Sequence, residues 1–283
     1  RRRALFLTVA VMTVATFLMG VVPGYEALGI AAPLAFVALR LAQGFAVGAE
    51  MPSAMSYVAE THTPQRRVRA ASVLAAGTFA ASLAGSLLAA VLALSLGPDA
   101  MGSWGWRVLF VLALPLGLVA IALRRRAPEE LTPAGRTSSR PLREAIRTQR
   151  GSMARFFTCA LVYCVGLSVL FTAYGGELLL SGLTPADVAV TNAVGYGALV
   201  VVILCTGPVI RRLGVRSTIV IGAVWLGVTT TPALLLGSTA DLGLAVLGAV
   251  LLSMPVGLLA TPIYLALAEM FPPRVRVTAG AIA

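Results

Sequence analysis

RLAQGFAVGAEMPSAMSYVAETHTPQRRVR, residues 40–69, is the stretch on which the fold turns. It begins inside an apolar run that starts near Leu28, yet it carries Arg40, Gln43 and Glu50 at what would be membrane depth. At roughly 100° per residue, with Arg40 as zero, Gln43 falls near −60°, Glu50 near −80° and Tyr57 near −100°. These four polar groups share an arc of roughly 100° on one helix, spread along about 25 Å of its axis. Ser53 sits just beyond the arc, and Pro52 is a candidate kink. Gly44 and Gly48 form a GxxxG pair on the neighbouring flank, where another helix can approach closely. A charged side chain in hydrocarbon costs ~2.5–3.5 kcal/mol on insertion scales. A helix with Arg40 and Glu50 on it should therefore line a polar interior rather than face lipid.

Composition extends that reading to the whole chain. Of 283 residues, 58% are hydrophobic and only 12% charged, which excludes an ordinary soluble domain of this size. The formal charge of +11 would suit a nucleic-acid binder, but the distribution of the charge does not. All 22 basic residues are arginines, and all but Arg40 and Arg107 fall in polar segments between or before apolar runs. That is the positive-inside pattern, so the charge reports membrane orientation and no nucleic-acid partner is expected. Cys159, Cys164 and Cys205 all lie inside apolar runs, with neither a disulfide framework nor a metal spacing. His62, the single histidine, sits in a polar loop. No cofactor and no metal site is expected. The opening Arg1-Arg2-Arg3 before an apolar run looks at first like a signal peptide. The run is too long for one and more follow, so a truncated chain is the better expectation.

Eight apolar stretches are long enough to cross a bilayer: residues 4–22, about 28–58, 70–96, 108–123, 156–174, roughly 188–210, 218–236 and 242–267. Residues 277–283 begin a ninth. The third stretch carries a small-residue ridge of Gly77, Ala81, Gly85 and Ala89 beside a hydroxyl ridge of Thr78, Ser82 and Ser86. Close helix packing is the ordinary reading of both ridges and substrate contact the alternative. The loop GPDAMGSWGW follows, with Trp104 and Trp106 placed as interfacial anchors. Residues 124–155 hold nine Arg and three Glu and read as a linker, in which 141–146 is expected to lie on the membrane surface as a short helix. Tyr163, Ser168, Thr172 and Tyr174 run along the fifth stretch, which ends at Glu177, and Asn192 and Tyr196 mark the sixth. Pro255 and Pro262 should bend the eighth. Arg-rich and Arg-poor connections alternate throughout, which puts the Arg-rich side in the cytoplasm.

A weak internal repeat accompanies the alternation. Tyr57, Ala59-Glu60, Pro64, Arg67 and Arg69 are echoed by Tyr264, Ala268-Glu269, Pro272, Arg274 and Arg276, at an offset of about 210 residues. Two related halves joined by a basic linker are a transporter signature. The expected architecture is all-α, a polytopic membrane protein with a bundle over 1–123, a cytoplasmic linker over 124–155 and a second bundle over 156–283.

The residues also carry a family likeness. Tyr25–Ala32 (YEALGIAA) with Pro33, then Arg40-Leu41-Ala42-Gln43-Gly44-Phe45 and Val47-Gly48-Ala49-Glu50, resembles the fourth-helix motif of the metabolite:proton symporters of the major facilitator superfamily. That group includes proline/betaine and α-ketoglutarate permeases. Gly105-Trp106-Arg107 with Phe110 resembles the start of its sixth helix, and Glu269-Met270-Phe271-Pro272 with Arg274 and Arg276 its loop between helices ten and eleven. The resemblance implies a two-bundle fold in which the spans correspond to helices three to ten, with helices one, two, most of eleven, and twelve absent. This chain departs from the family pattern in three places: Ala49 stands for Gly, Val68 for Gly, and Arg211 for the Asp of the second-half loop motif.

Together the residues and the resemblance point to a secondary active transporter of the inner (plasma) membrane. It is expected to be a monomer embedded in the lipid bilayer, moving a small polar metabolite with a proton. The expected substrate and proton pathway is Arg40, Gln43, Glu50, Tyr57, Tyr163, Asn192 and Tyr196, with Arg40 attracting a carboxylate and Glu50 carrying the proton. The expected cytoplasmic gating loops comprise Glu60, Arg67, Arg212, Gly214, Arg216, Glu269, Arg274 and Arg276. The bland alternative for Arg40 and Glu50 is a structural polar bridge that orients their helix. A transport-inactive sensor or partner-binding protein of the same fold is the second functional reading, mildly favoured by Arg211. An enzyme is not expected, because no His/Asp/Glu cluster, Ser-His pair or nucleotide-binding loop is present.

Overall fold

The computed structural model describes residues 2–126, 147–272 and 275–282. Every regular element among them is helical. In hydrocarbon a backbone must satisfy its own polar groups, and an isolated apolar run can do so only as a helix. The order is α1 (Arg2–Val21), α2 (Tyr25–Leu28), α3 (Ala31–Thr61), α4 (Pro64–Ala100), a π-helical turn (Met101–Gly105), α5 (Trp106–Val111) and α6 (Ala113–Arg126). It continues with α7 (Arg150–Ser168), a second π-helical turn (Val169–Ala173), α8 (Tyr174–Leu180), α9 (Pro185–Gly237), α10 (Leu242–Met270) and α11 (Arg276–Ile282).

Six helical segments are long and apolar enough to cross a membrane, and a shorter apolar helix covers Phe6–Val21. One of the six, α9, contains 53 residues, but Gly214 breaks it with φ 81° and ψ 164°. Only glycine takes that conformation without strain. With this break the helices match the eight stretches expected from hydropathy. The helix boundaries follow local chemistry. Thr184 and Asp187 form a reciprocal capping box at the start of α9, with Pro185 in the first turn. The Asp241 carboxylate accepts from the Leu244 backbone N–H at 2.9 Å and so caps α10.

Two expectations need correction. Residues 97–106 are not an open loop. Gly97 turns the chain at φ 76°, and helical geometry then resumes through Ala100 and the π turn. The reason is close packing: a Cβ on Gly105 would stand 2.9 Å from Leu96 Cδ1, so the chain folds tightly back on the end of α4. The fifth span is also longer than hydropathy suggests, running from Arg150 to Leu180 and enclosing Glu177. Helix continues because Tyr174 is anchored: its hydroxyl donates to the Ala245 carbonyl at 2.6 Å, and its ring lies against Gly237 and Gly248. Most of the 124–155 segment, including the surface helix expected at 141–146, lies outside the described residues.

Lipid tails are as apolar as leucine, so helix association here rests on close packing rather than on water exclusion. α10 is the most enclosed helix, with Leu252, Val256, Leu259, Ala260 and Thr261 all buried. Small residues let its neighbours in. A Cβ on Gly257 would meet Val202 Cβ at 2.9 Å, and one on Gly222 would meet Leu259 at 2.8 Å. The main apolar core joins Met55, Val58 and Ala59 of α3 and Ala71, Ala75 and Phe79 of α4 to residues of α7 through α11. α1 packs instead on α3, α5 and α6, where Gly20 faces Phe110 and Gly117 faces Thr13.

Candidate functional site

Polar side chains gather in two places inside the apolar helices. The first is the stripe on α3. Arg40 Nη1 donates to Gln43 Oε1 at 3.0 Å, and Gln43 Nε2 donates to Thr16 Oγ1 on α1 at 2.8 Å. Thr16 in turn donates to the Met12 carbonyl at 2.7 Å. The Arg40 guanidinium also lies 5.7 Å from the centre of the Phe36 ring. Arg40 and Tyr57 are exposed, whereas Gln43, Glu50 and Ser53 are half-buried. The arc of Gln43, Glu50 and Tyr57 lies across the helix from Pro52, Met55 and Ala59, which fall at roughly +60° to +120° on the same scale. That second face is buried and meets α10 and α11, with Pro52 3.5 Å from the position a Cβ on Gly280 would take. A Cβ on Gly44 or Gly48 would meet no described atom within 4 Å, so no described helix uses the GxxxG approach.

The second gathering is a seam where α4 meets α9 and α10, with α7 packed on α10. Its parts come from residues far apart in sequence. Ser72 of α4 and Thr261 of α10 are both buried, and their hydroxyls lie 3.3 Å apart. Nearly two turns along α4, Thr78 comes within hydrogen-bonding range of Tyr264 of α10. One turn further, Ser82 meets the Tyr196 hydroxyl of α9, and the Tyr196 ring stacks on Phe171 at 3.8 Å between centres. Tyr163 of α7 stands beside Tyr264, yet its buried hydroxyl closes no hydrogen bond of acceptable geometry. Thr191 of α9 is likewise buried with an unpartnered hydroxyl. No formal charge occurs in residues 70–97, 156–174, 188–210 or 242–268, the four segments that form the seam.

Thr78 and Ser82 of the hydroxyl ridge thus meet partners, whereas Gly77, Ala81 and Gly85 of the small-residue ridge lie open. A Cβ on Gly77 or Gly85 would meet no described atom within 4 Å, and Ala81 is exposed. Of the expected pathway residues, the structure brings Tyr163 and Tyr196 to the seam. It brings Arg40 and Gln43 together on the other side of α3. Asn192 is half-buried near the start of α9. Thr78, Ser82 and Tyr264 of the seam were visible in the sequence as a ridge and a repeat position, but nothing there indicated that they meet.

The expected gating residues sit at helix ends. Arg67 Nε donates to the His62 carbonyl at 2.9 Å and ties the turn between α3 and α4. Arg276 is buried, and its Nε donates to the Phe271 carbonyl at 3.1 Å. The Phe271 ring meets Phe156 edge-on at 5.7 Å. Arg212 and Arg216 are exposed on either side of the Gly214 break, and Glu269 is exposed at the end of α10. Backbone at Glu60 is helical, and Arg274 lies outside the described residues. Among the described residues no group of three or more His, Cys, Asp or Glu could hold a metal ion.

Comparison with known proteins agrees with this architecture. The family model described as Major Facilitator Superfamily matches residues 1–283. A glycine betaine/proline/ectoine/pipecolic acid transporter of Dickeya dadantii (strain 3937) is 29% identical over 300 residues, covering 100% of this chain and 60% of the relative. The proline/betaine transporter of Escherichia coli (strain K12) is 30% identical over 302 residues, with the same coverage of 100% and 60%. A putative proline/betaine transporter of Staphylococcus aureus (strain MSSA476) is 34% identical over 171 residues, 60% of this chain and 36% of the relative. The chain therefore spans about 60% of the length of the first two relatives.

Proposed function

The chain belongs to the major facilitator superfamily, and on that premise we propose that it is a secondary active transporter moving a small polar metabolite by alternating access. It is a multi-pass helical membrane protein; the inner (plasma) membrane and a monomeric state are part of the proposal. The observation that carries the reading is the seam. Polar groups inside a membrane are costly and tend to mark pathways. Here hydroxyls and aromatic rings from four helices converge inside segments that carry no charge at all. The proposed halves, 1–123 and 156–283, would rock against each other along α4, where it meets α9 and α10.

Proton coupling is the finer proposal. Glu50 is the candidate carrier, since it is half-buried on the stripe and is the one acid within the membrane-depth part of α3. Arg40 cannot carry the proton, because a guanidinium stays protonated. Its proposed role is to hold an anionic group of the substrate. The relatives named as proline and betaine transporters support a small zwitterion, so L-proline and glycine betaine are the first probes. Radiolabelled uptake into cells expressing the gene, with and without a protonophore, tests the proposal. Saturable uptake that collapses with the proton gradient is expected. Robust expression in the membrane with no uptake of either probe, or of organic acids and other amino acids, would favour the second reading, a transport-inactive sensor. Arg211, which stands where the family pattern has an acid, favours that alternative.

A further inference from the structure

The buried, unpartnered hydroxyl of Tyr163 has a cost and a direction. Tyr163 is 6% exposed and its hydroxyl has no hydrogen-bond partner. Native interiors leave few such groups unpaired, and those that occur call for an explanation. Its neighbour is the Tyr264 hydroxyl, which in turn reaches Thr78. Thr78 is exposed and stands beside Gly77, Ala81 and Gly85, around whose glycines a Cβ would meet no described atom within 4 Å. The Tyr163 hydroxyl therefore stands beside that of Tyr264, which reaches Thr78 on a face of α4 where no described atom would meet a Cβ on Gly77 or Gly85. About 6 Å along the same helix, the Ser82–Tyr196–Phe171 set adds two more rings.

The chemistry around Tyr163 selects one kind of group. A phenolic hydroxyl can donate or accept, so by itself it is neutral between an anion and a cation. The surroundings are not neutral. The rings of Tyr163, Tyr264, Tyr196 and Phe171 belong to the seam, and aromatic π faces carry negative charge density and attract ammonium groups. The four helical segments supply no arginine or lysine to compensate a desolvated carboxylate. An ammonium group with N–H bonds can donate to the Tyr163 oxygen while lying against the neighbouring rings. A fully alkylated ammonium gains the ring contact but has no hydrogen to donate.

We infer that the Tyr163–Tyr264 pair is the site for the ammonium end of a zwitterionic substrate, and that the Tyr163 oxygen selects an N–H-bearing ammonium over a quaternary one. The inference rests on the proposed function for the substrate being a zwitterion, and it deepens that proposal by naming the residue that reads the nitrogen. It is a binding role only, with no covalent step.

L-Proline and N,N-dimethyl-L-proline test it, because they share a skeleton and differ at the nitrogen. Equilibrium binding of each to the purified chain in detergent is measured by calorimetry for the parent, Tyr163→Phe and Tyr264→Phe. The parent should prefer L-proline. Tyr163→Phe should weaken L-proline by about tenfold, the typical worth of a hydrogen bond to a charged group, and change the dimethyl compound by less than about twofold. Tyr264→Phe, which removes the neighbouring hydroxyl, serves as a second variant should the first fold poorly, and should also weaken L-proline more than the dimethyl compound. Equal effects on both ligands, no effect on either, or no binding of either ligand to the folded parent would overturn the inference. Selective loss of L-proline binding in a chain that supports no uptake would instead leave the inference standing and remove the transporter reading.

Discussion

Replacing Arg107 should loosen the junction between α1 and α5 by an amount that the geometry lets one estimate. α1 ends with no basic residue in its last turn, and the final carbonyls of any helix lack intrahelical partners. Arg107 Nη1 reaches two of the carbonyls at this end, Gly20 at 2.9 Å and Val22 at 2.6 Å. The same guanidinium lies 4.6 Å from the centre of the Trp106 ring. Hydrogen bonds between membrane helices average ~0.6 kcal/mol and reach ~1.7 kcal/mol. A cation over an aromatic face adds ~0.5–1 kcal/mol where water is near. Arg107→Ala should therefore cost about 2 kcal/mol, or roughly a 30-fold shift toward the unfolded form. Arg107→Lys keeps the charge at the negative end of the helix dipole but loses the planar fork, and should cost about 1 kcal/mol. Arg107→Met keeps most of the stem and removes every donor, so it should behave like Ala if the hydrogen bonds matter and like the parent if packing alone does.

The assay is equilibrium unfolding of the purified chain in mixed detergent and SDS micelles, followed by circular dichroism. An Arg107→Ala midpoint indistinguishable from the parent would refute the reasoning. So would a Lys variant as damaged as the Ala variant, because charge would then count for nothing.

Other expectations are open to equally direct tests. In cells expressing the gene, Arg40→Lys should retain weakened uptake, whereas Arg40→Ala should reach the membrane and abolish accumulation; loss of membrane accumulation would instead support the structural bridge through Gln43 to Thr16. Glu50→Gln should uncouple uptake from the proton gradient more than it raises the KM, read by comparing uptake with and without a protonophore. In a background free of Cys159, Cys164 and Cys205, single cysteines at positions 66 and 187 should react with an impermeant thiol reagent from opposite sides of the membrane; labelling from one side refutes the eight-span topology. Gly257→Ala should destabilise by about 1–3 kcal/mol, since its Cβ would stand 2.9 Å from Val202 Cβ and 3.3 Å from the Leu199 carbonyl. Gly227→Ala, exposed with no described atom near it, should be neutral or stabilising by up to ~1 kcal/mol in the same unfolding assay.

Which parts of this architecture can be read from sequence follows from the solvent. A span is a local property: nineteen uncharged residues over 4–22 declare a helix whatever they pack against. The break at Gly214 is local as well, because a glycine amid Arg211, Arg212 and Arg216 supplies both the polar interruption and the positive φ. The facing of a span is different. In water an amphipathic helix announces its buried side, but in lipid the outside of Leu252 or Leu259 would be as comfortable as the inside. Only polar atoms break that degeneracy, and they identify a face without identifying its partner. Thr78 and Ser82 were visible as a ridge, yet Tyr264 and Tyr196 lie more than a hundred residues away and no spacing links them. Backbone acceptors are harder still: Arg107 binds the carbonyls of Gly20 and Val22, and a carbonyl carries no sequence signature. The stripe on α3 shows the consequence. Its arc was legible, but the same periodicity could not say that Gln43 would turn to Thr16 while the opposite face, with Pro52 and Met55, closed on α10 and α11. The two polar sets therefore make opposite demands on experiment. The α3 stripe asks what charge does in uptake, and the seam asks what an uncharged hydroxyl does in binding. A substitution series at Arg40 and Glu50 read only by growth would confuse the two. Uptake and equilibrium binding measured on the same variants keep them apart.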